Sequence, residues 1–361
     1  MSRSKPSSFS RHPELVSTSR RNLLKGAGAA AFGAALPPIG ILGGGMLGGS
    51  GAAWAQSARQ VNFQLSWIKS IQYGGYFAGI EKGFFKDAGI DPTFNSGGPN
   101  IDPVANVASG KSVIGDRPIG PLLIAREKGI PIKVIGTVFQ KSPYAFMSAG
   151  SKPIRTIKEL AGKTIAVSTS GRPLVQNLLK EHGVDLKSVN LVPAAPDPGA
   201  LVTGQIDAYS GYSTNQGVML QTRGFDVHVL EVHDLGVPET AGTIYVREDY
   251  LKSNRDDVVR FMRAAIRSWT WALDNPEETA KLMVEKYGAP GLDYKAQLAE
   301  IKASKPYILA GPVQKQGMLT LDLDLYTKII DLYRKVDMIK SPMSAKDLCD
   351  PSVAIDANRK A

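Results

Sequence analysis

Short apolar runs alternate with helical periodicity from Val61 to Val246, and the alternation occurs twice with matching internal organisation. A chain patterned this way is an α/β protein, here expected to have mainly parallel sheets. Strands are predicted over 61–65, 92–95, 112–115, 132–138, 144–148, 164–167, 190–192, 208–210, 227–232 and 243–246. In the first stretch the strand at 61–65 passes through a polar loop into a helix ending near Gly83, and a later helix stops at Gly110. In the second, the strand at 164–167 passes through Ser168-Thr169-Ser170-Gly171 into a helix ending near Gly183, and a later one stops at Gly204. Glycine suits the left-handed residue that closes a helix. Two similar α/β lobes imply a cleft between them.

The last third reads as helical. Asn275-Pro276-Glu277-Glu278 is expected to cap a helix that Gly288 ends. In the preceding helix Trp269 shares its spacing with Val258, Met262 and Ile266 and belongs to the core, while Trp271 is expected to cover Arg267 or to face a partner. Lobe one is expected to comprise 58–147 plus 243–361 and lobe two 148–242, with boundaries near Ser148 and Thr243.

Residues 1–55 read differently. Ser19-Arg20-Arg21-Asn22-Leu23-Leu24-Lys25 precedes an uncharged, Gly/Ala-rich stretch ending in Ala53-Trp54-Ala55, the pattern of a twin-arginine export signal. Such a signal implies the Tat export machinery as a partner and a periplasmic destination, with cleavage near residue 55 and a membrane tether as the alternative. Gly43-Gly44-Gly45-Met46-Leu47-Gly48 matches a dinucleotide fingerprint by spacing, but no strand precedes it. The segment holds six basic residues against Glu14, so the remaining chain carries a formal +5 of the total +10. Its basic residues are interspersed with acids, which disfavours nucleic acid as a partner.

Little in the chain looks catalytic. A single cysteine, Cys349, rules out an intrachain disulfide and reads as a packed thiol. Beyond the signal the histidines are His182, His228 and His233, and no HExxH, GxSxG or GxxxxGK[ST] motif occurs. No metal site, cofactor or catalytic residue is therefore expected. What remains is a polar and aromatic set beyond the C-terminal ends of predicted strands, where α/β sheets hold ligands. In the first half this set is Ser66, Trp67, Tyr73, Tyr76 and Asp116; in the second it is Ser168, Thr169, Ser170, Gly171, Tyr209, Tyr212, Thr214 and Asn215. The run 168–171 also opens a helix, whose free N–H groups suit an anion or a carbonyl oxygen.

Four stretches carry a resemblance: Tyr76-Phe-Ala-Gly-Ile-Glu-Lys-Gly-Phe-Phe-Lys-Asp-Ala-Gly-Ile90, Lys158-Glu-Leu-Ala-Gly-Lys-Thr-Ile-Ala-Val167, Gly204-Gln-Ile-Asp-Ala-Tyr209 and Trp269-Thr-Trp-Ala-Leu-Asp-Asn-Pro276. They resemble the solute-binding proteins of ABC importers in the family shared by thiamine-pyrimidine, sulfonate and nitrate binders. The resemblance implies a type II periplasmic binding protein that closes on one small molecule and serves an ABC permease in the inner membrane. The aromatic set favours a heteroaromatic solute such as a thiamine-precursor pyrimidine, with riboflavin in the same chemistry. A sulfonate or nitrate would instead use Ser168 to Gly171 with Arg172. The family also contains a thiamine pyrimidine synthase, whose cysteine-rich motif this chain lacks; catalysis is the remaining alternative.

Overall fold

The computed structural model describes residues 58–359. The export motif and the glycine-rich run lie outside the described residues. Ten strands form among the described residues: β1 (Arg59–Gln64), β2 (Ile90–Asn95), β3 (Ile114–Arg117), β4 (Ile132–Phe139), β5 (Tyr144–Ala149), β6 (Thr164–Val167), β7 (Asn190–Pro193), β8 (Ala208–Tyr212), β9 (Val227–Glu231) and β10 (Ala241–Arg247). Each coincides with a predicted strand to within two or three residues. They make two five-stranded sheets, ordered β2-β1-β3-β10-β4 and β7-β6-β8-β5-β9.

The sheets are mixed rather than mainly parallel. β1 pairs in parallel with β2 and β3, and β6 with β7 and β8, but β10 and β5 run antiparallel to both of their neighbours. These two are the first strands after each passage between sheets. A strand arriving from the other lobe starts at the end facing that lobe, so it runs against the strands that finish there. The first passage lies between Phe139 and Tyr144, so the expected boundary at 148 cuts through β5, all of which pairs within the second sheet.

Glycine closes corresponding helices in the two lobes. Gly83 (φ 74°) and Gly183 (φ 69°) both adopt the left-handed conformation that a side chain would strain. In lobe one, alternation in β1 buries Val61 and Phe63 and exposes Asn62. Phe63 joins Tyr76, Phe94, Phe261 and Trp269 in an aromatic core, with Tyr76 and Phe94 stacked at 5.1 Å and Tyr76 edge-on to Trp269 at 5.7 Å. The helix Gly74–Glu81 lies so close to the helix Arg255–Asp274 that a Cβ on Gly75 would fall 2.2 Å from the Trp269 indole. The edge strand β4 is covered by the C-terminal segment through a bridge from Val134 to Cys349, which blunts an edge open to pairing. Burial pushes the Cys349 thiol up to about 12, as expected of a packed cysteine.

Two local expectations fail. Asn275 precedes the helix Pro276–Leu282, but its side chain donates back to the Trp271 carbonyl at 2.9 Å instead of capping, and a π turn, Met283–Tyr287, continues the helix before Gly288. Trp271 is covered by the Lys82 ammonium, 4.4 Å from the ring centroid, while Arg267 lies over Phe84. Sequence spacing could not place a cation supplied by another helix.

Candidate functional site

Parallel strands β1, β3, β6 and β8 all end at one cleft between the lobes, the place where such sheets leave side chains free to meet a ligand. Ser66 and Trp67 follow β1, Pro118 follows β3, Ser168 to Gly171 follow β6, and Tyr209 to Tyr212 end β8. Gln72, Tyr144 and Gln216 complete the lining. The cleft leaves about 50 Å³ open to a water-sized sphere. Every lining residue is uncharged.

Seven expected residues line this cleft: Ser66, Trp67, Ser168, Ser170, Gly171, Tyr209 and Tyr212. The other six lie behind or beside it. Tyr76 is 1 % exposed inside the aromatic core, because its helix turns that face onto Phe94 and Trp269. Tyr73 is buried and turned inward: its hydroxyl accepts the Trp67 N–H at 2.9 Å and lies 3.0 Å from Ser66 Oγ. Asp116, at the far side of Ser66, accepts the Ser66 N–H at 2.9 Å and the Ser66 hydroxyl at 3.0 Å. Burial raises its carboxyl to about 7, against the stabilising effect of the Ser66 and Tyr73 hydrogen bonds and of Arg117. Thr169 is a lobe-to-lobe tie, its hydroxyl donating to the Pro99 carbonyl at 2.7 Å. Thr214 and Asn215 are buried in the π turn Ser213–Gly217, where Asn215 donates to Glu300 at 2.6 Å; burial lifts that carboxyl to about 8.

Close backbone approaches shape the cleft walls. A Cβ on Gly171 would sit 2.3 Å from the Tyr144 hydroxyl oxygen, and one on Gly97 would sit 2.3 Å from the Leu65 carbonyl oxygen. Gly97 also donates its N–H to the Trp67 carbonyl at 2.9 Å, so the loop after β2 holds the loop after β1 in place. Tyr144 stands edge-on to Tyr212 at 6.3 Å, directly across the β5–β8 register, and Tyr212 stands edge-on to Phe139 at 5.7 Å. On the second lobe Tyr209 donates to the Ala195 carbonyl at 2.6 Å and Ser210 to the Ala166 carbonyl at 3.0 Å.

Gln72, Pro118, Tyr144, Ser210, Gly211 and Gln216 were not expected. Pro118 is reachable by applying the strand-end rule to β3 as it was applied to β1. Ser210 and Gly211 lie between the two expected tyrosines of β8. Tyr144 has no such signal, because it begins its strand and meets the site only through the antiparallel pairing of β5. Arg172 is outside the lining. His233 is also elsewhere, its ring nitrogens 2.9 Å from Glu231 Oε2 and 2.8 Å from Asp234 Oδ1 on the second lobe.

A family model described as NMT1/THI5 like matches residues 70–279. The riboflavin-binding protein RibY of Chloroflexus aurantiacus is 26% identical over 308 residues, covering 80% of this chain and 84% of that protein. The formylaminopyrimidine-binding protein of Halalkalibacterium halodurans is 22% identical over 301 residues, covering 81% and 90%. A 4-amino-5-hydroxymethyl-2-methylpyrimidine phosphate synthase of Uromyces fabae is 27% identical over a shorter span, 58% of this chain and 65% of that protein. The solved structure of the periplasmic aliphatic sulphonate binding protein SsuA from Escherichia coli aligns with a TM-score of 0.61 at 15% identity, covering 81% of this chain and 91% of that one. At that identity the likeness establishes the type II periplasmic binding fold. The two-lobed architecture and a family match over more than half of its length make this chain a member of the NMT1/THI5-like family.

Proposed function

We propose that this protein is the extracytoplasmic solute-binding component of an ABC importer and that its solute is a flat, uncharged heteroaromatic, a pyrimidine of the thiamine-precursor kind. The observation that carries the reading is the lining itself: Trp67, Tyr144, Tyr209 and Tyr212 offer aromatic surface, serines and glutamines offer hydrogen bonds, and no charged side chain takes part. The relatives named for riboflavin and formylaminopyrimidine binding point the same way. A ligand touching both walls favours the closed form that a permease distinguishes. Residues expected to contact the solute are Ser66, Trp67, Tyr144, Ser170, Tyr209 and Tyr212. The protein acts by binding, without turnover. Its passage to the periplasm is assigned to the Tat route on Arg20 and Arg21.

Calorimetry with 4-amino-5-hydroxymethyl-2-methylpyrimidine, riboflavin, alkanesulfonates and nitrate tests the solute class. Binding by an aromatic compound, with a raised melting temperature and the compound recovered unchanged, is the expected result. Binding confined to the anions, and lost in Arg172→Ala, would replace this reading with an oxyanion site at the helix following Gly171. Turnover of pyridoxal phosphate would remove the binding-only reading. Replacing Arg20 and Arg21 by lysine should keep the protein out of the periplasmic fraction.

A further inference from the structure

The polarity of one hydrogen bond in the cleft can be read from the groups behind it. The Tyr73 hydroxyl oxygen accepts two donors, the Trp67 N–H at 2.9 Å and the Gln72 side-chain N–H at 3.2 Å. With both acceptor positions filled, it takes no proton from Ser66, and its own proton goes to Ser66 Oγ at 3.0 Å or to the Asp116 carboxylate. Ser66 sends its own proton to Asp116 Oδ2 at 3.0 Å, and the second carboxylate oxygen of Asp116 is held by the Ser66 N–H at 2.9 Å. A hydroxyl has one donor and two acceptor positions. With the donor committed to Asp116, only acceptor capacity remains on a residue that lines the cleft.

We propose that Ser66 presents only a hydrogen-bond acceptor to the solute, so the bound molecule meets the first lobe with an N–H or O–H donor, and that Asp116 is the positioning residue that enforces this from behind. This rests on the heteroaromatic reading above and deepens it: an aminopyrimidine edge or the imide edge of a flavin satisfies it, and an aromatic edge offering only acceptors does not. The arrangement needs an ionised Asp116, because a protonated carboxyl can donate to Ser66 Oγ and turn the serine proton toward the cleft. Burial holds this carboxyl near 7. The other titratable groups whose charge it senses are Arg117 on its own strand, Tyr73, Tyr76 from the first helix, Tyr245 from β10 and Tyr212 across the cleft.

The test uses matched probes on the whole protein: 4-amino-2,5-dimethylpyrimidine against 2,4,5-trimethylpyrimidine, and riboflavin against N3-methylriboflavin. In the pair that binds, the donor-bearing member should bind roughly tenfold tighter at pH 8, the scale of one well-made hydrogen bond. The advantage should shrink below about pH 6, as Asp116 takes up a proton. Ser66→Ala should abolish it. Asp116→Asn should abolish or reverse it at every pH, since the amide can donate to Ser66. Equal binding of both members by the parent protein would overturn the inference and leave the aromatic reading intact. Failure of both pairs to bind would remove the aromatic reading and this inference together. Should Asp116→Asn not fold, the parent protein and Ser66→Ala still decide the matter.

Discussion

The two walls of the cleft are built differently although their lobes are organised alike. On the first lobe Ser66 and Trp67 are held by a buried polar network of Tyr73, Gln72 and Asp116. On the second, Tyr209 and Ser210 are tied to main-chain carbonyls, and Tyr144 rests against the bare backbone of Gly171. A wall tied to carbonyls offers shape and flat faces. One backed by an ionisable carboxyl can also dictate which way a hydrogen bond points. Lobe two is thus suited to admit aromatic solutes as a class, and lobe one to choose among them.

The largest effect that would sharpen this contrast is on stability against pH. Burial raises Asp116 to about 7 and Glu239 and Glu300 to about 8. Native protein then binds more protons than unfolded chain between the ordinary carboxylate range and those values, so stability falls as pH rises from about 5 to 8. Each such group loses up to about 1.4 kcal/mol per pH unit in that window. Thermal melts across it should show a steady decline; a flat profile would mean that these acids are ionised in the native protein.

Next comes Tyr76→Ala, which should cost roughly 3–5 kcal/mol by leaving a hole in the aromatic core. Solute affinity of the folded fraction should not change, because Tyr76 is shut away from the cleft. A selective affinity loss without destabilisation would return Tyr76 to the site. Trp67→Ala should do the reverse. Its melting temperature should fall modestly, while affinity falls more than tenfold through loss of a stacking face worth about 1 kcal/mol beyond its buried area. Unchanged affinity in the well-folded variant would shift the aromatic recognition to lobe two alone.

The smallest change is Gly171→Ala. Its added methyl must displace the Tyr144 hydroxyl, which lies 2.3 Å from the Cβ position, while the backbone (φ −83°) accepts alanine. The fold should tolerate this at about 1–3 kcal/mol, the usual cost of overpacking. Affinity should drop severalfold, measured by calorimetry against the parent protein. An unchanged affinity would show that Tyr144 has room to turn and that the second wall is softer than the contacts imply.

Much of this architecture was legible from local chemistry. Apolar runs bounded by turn residues mark all ten strands, and glycines at 83 and 183 mark matching helix ends. Trp67, Tyr209 and Tyr212 follow from the strand-end rule. Tyr73, Asp116, Thr169 and Asn215 were found by the same rule but occupy different places, since it selects loops without telling which way each side chain turns. Tyr73 and Asp116 turn toward Ser66, Thr169 toward Pro99, and Asn215 toward Glu300.

Strand identity, helix limits and the neighbourhood of the cleft are properties of contiguous residues, because backbone propensity, turn chemistry and alternation act over a few positions. Strand direction is not. β5 and β10 carry the same apolar pattern whichever way they run, and only the passage of the chain between lobes makes them antiparallel. That choice brings Tyr144 to the site from the beginning of its strand. The proton order along Tyr73, Ser66 and Asp116 likewise joins residues up to fifty positions apart in sequence. Their donors and acceptors find one another only after β1 and β3 pair, so tertiary structure alone decides what the cleft asks of its solute.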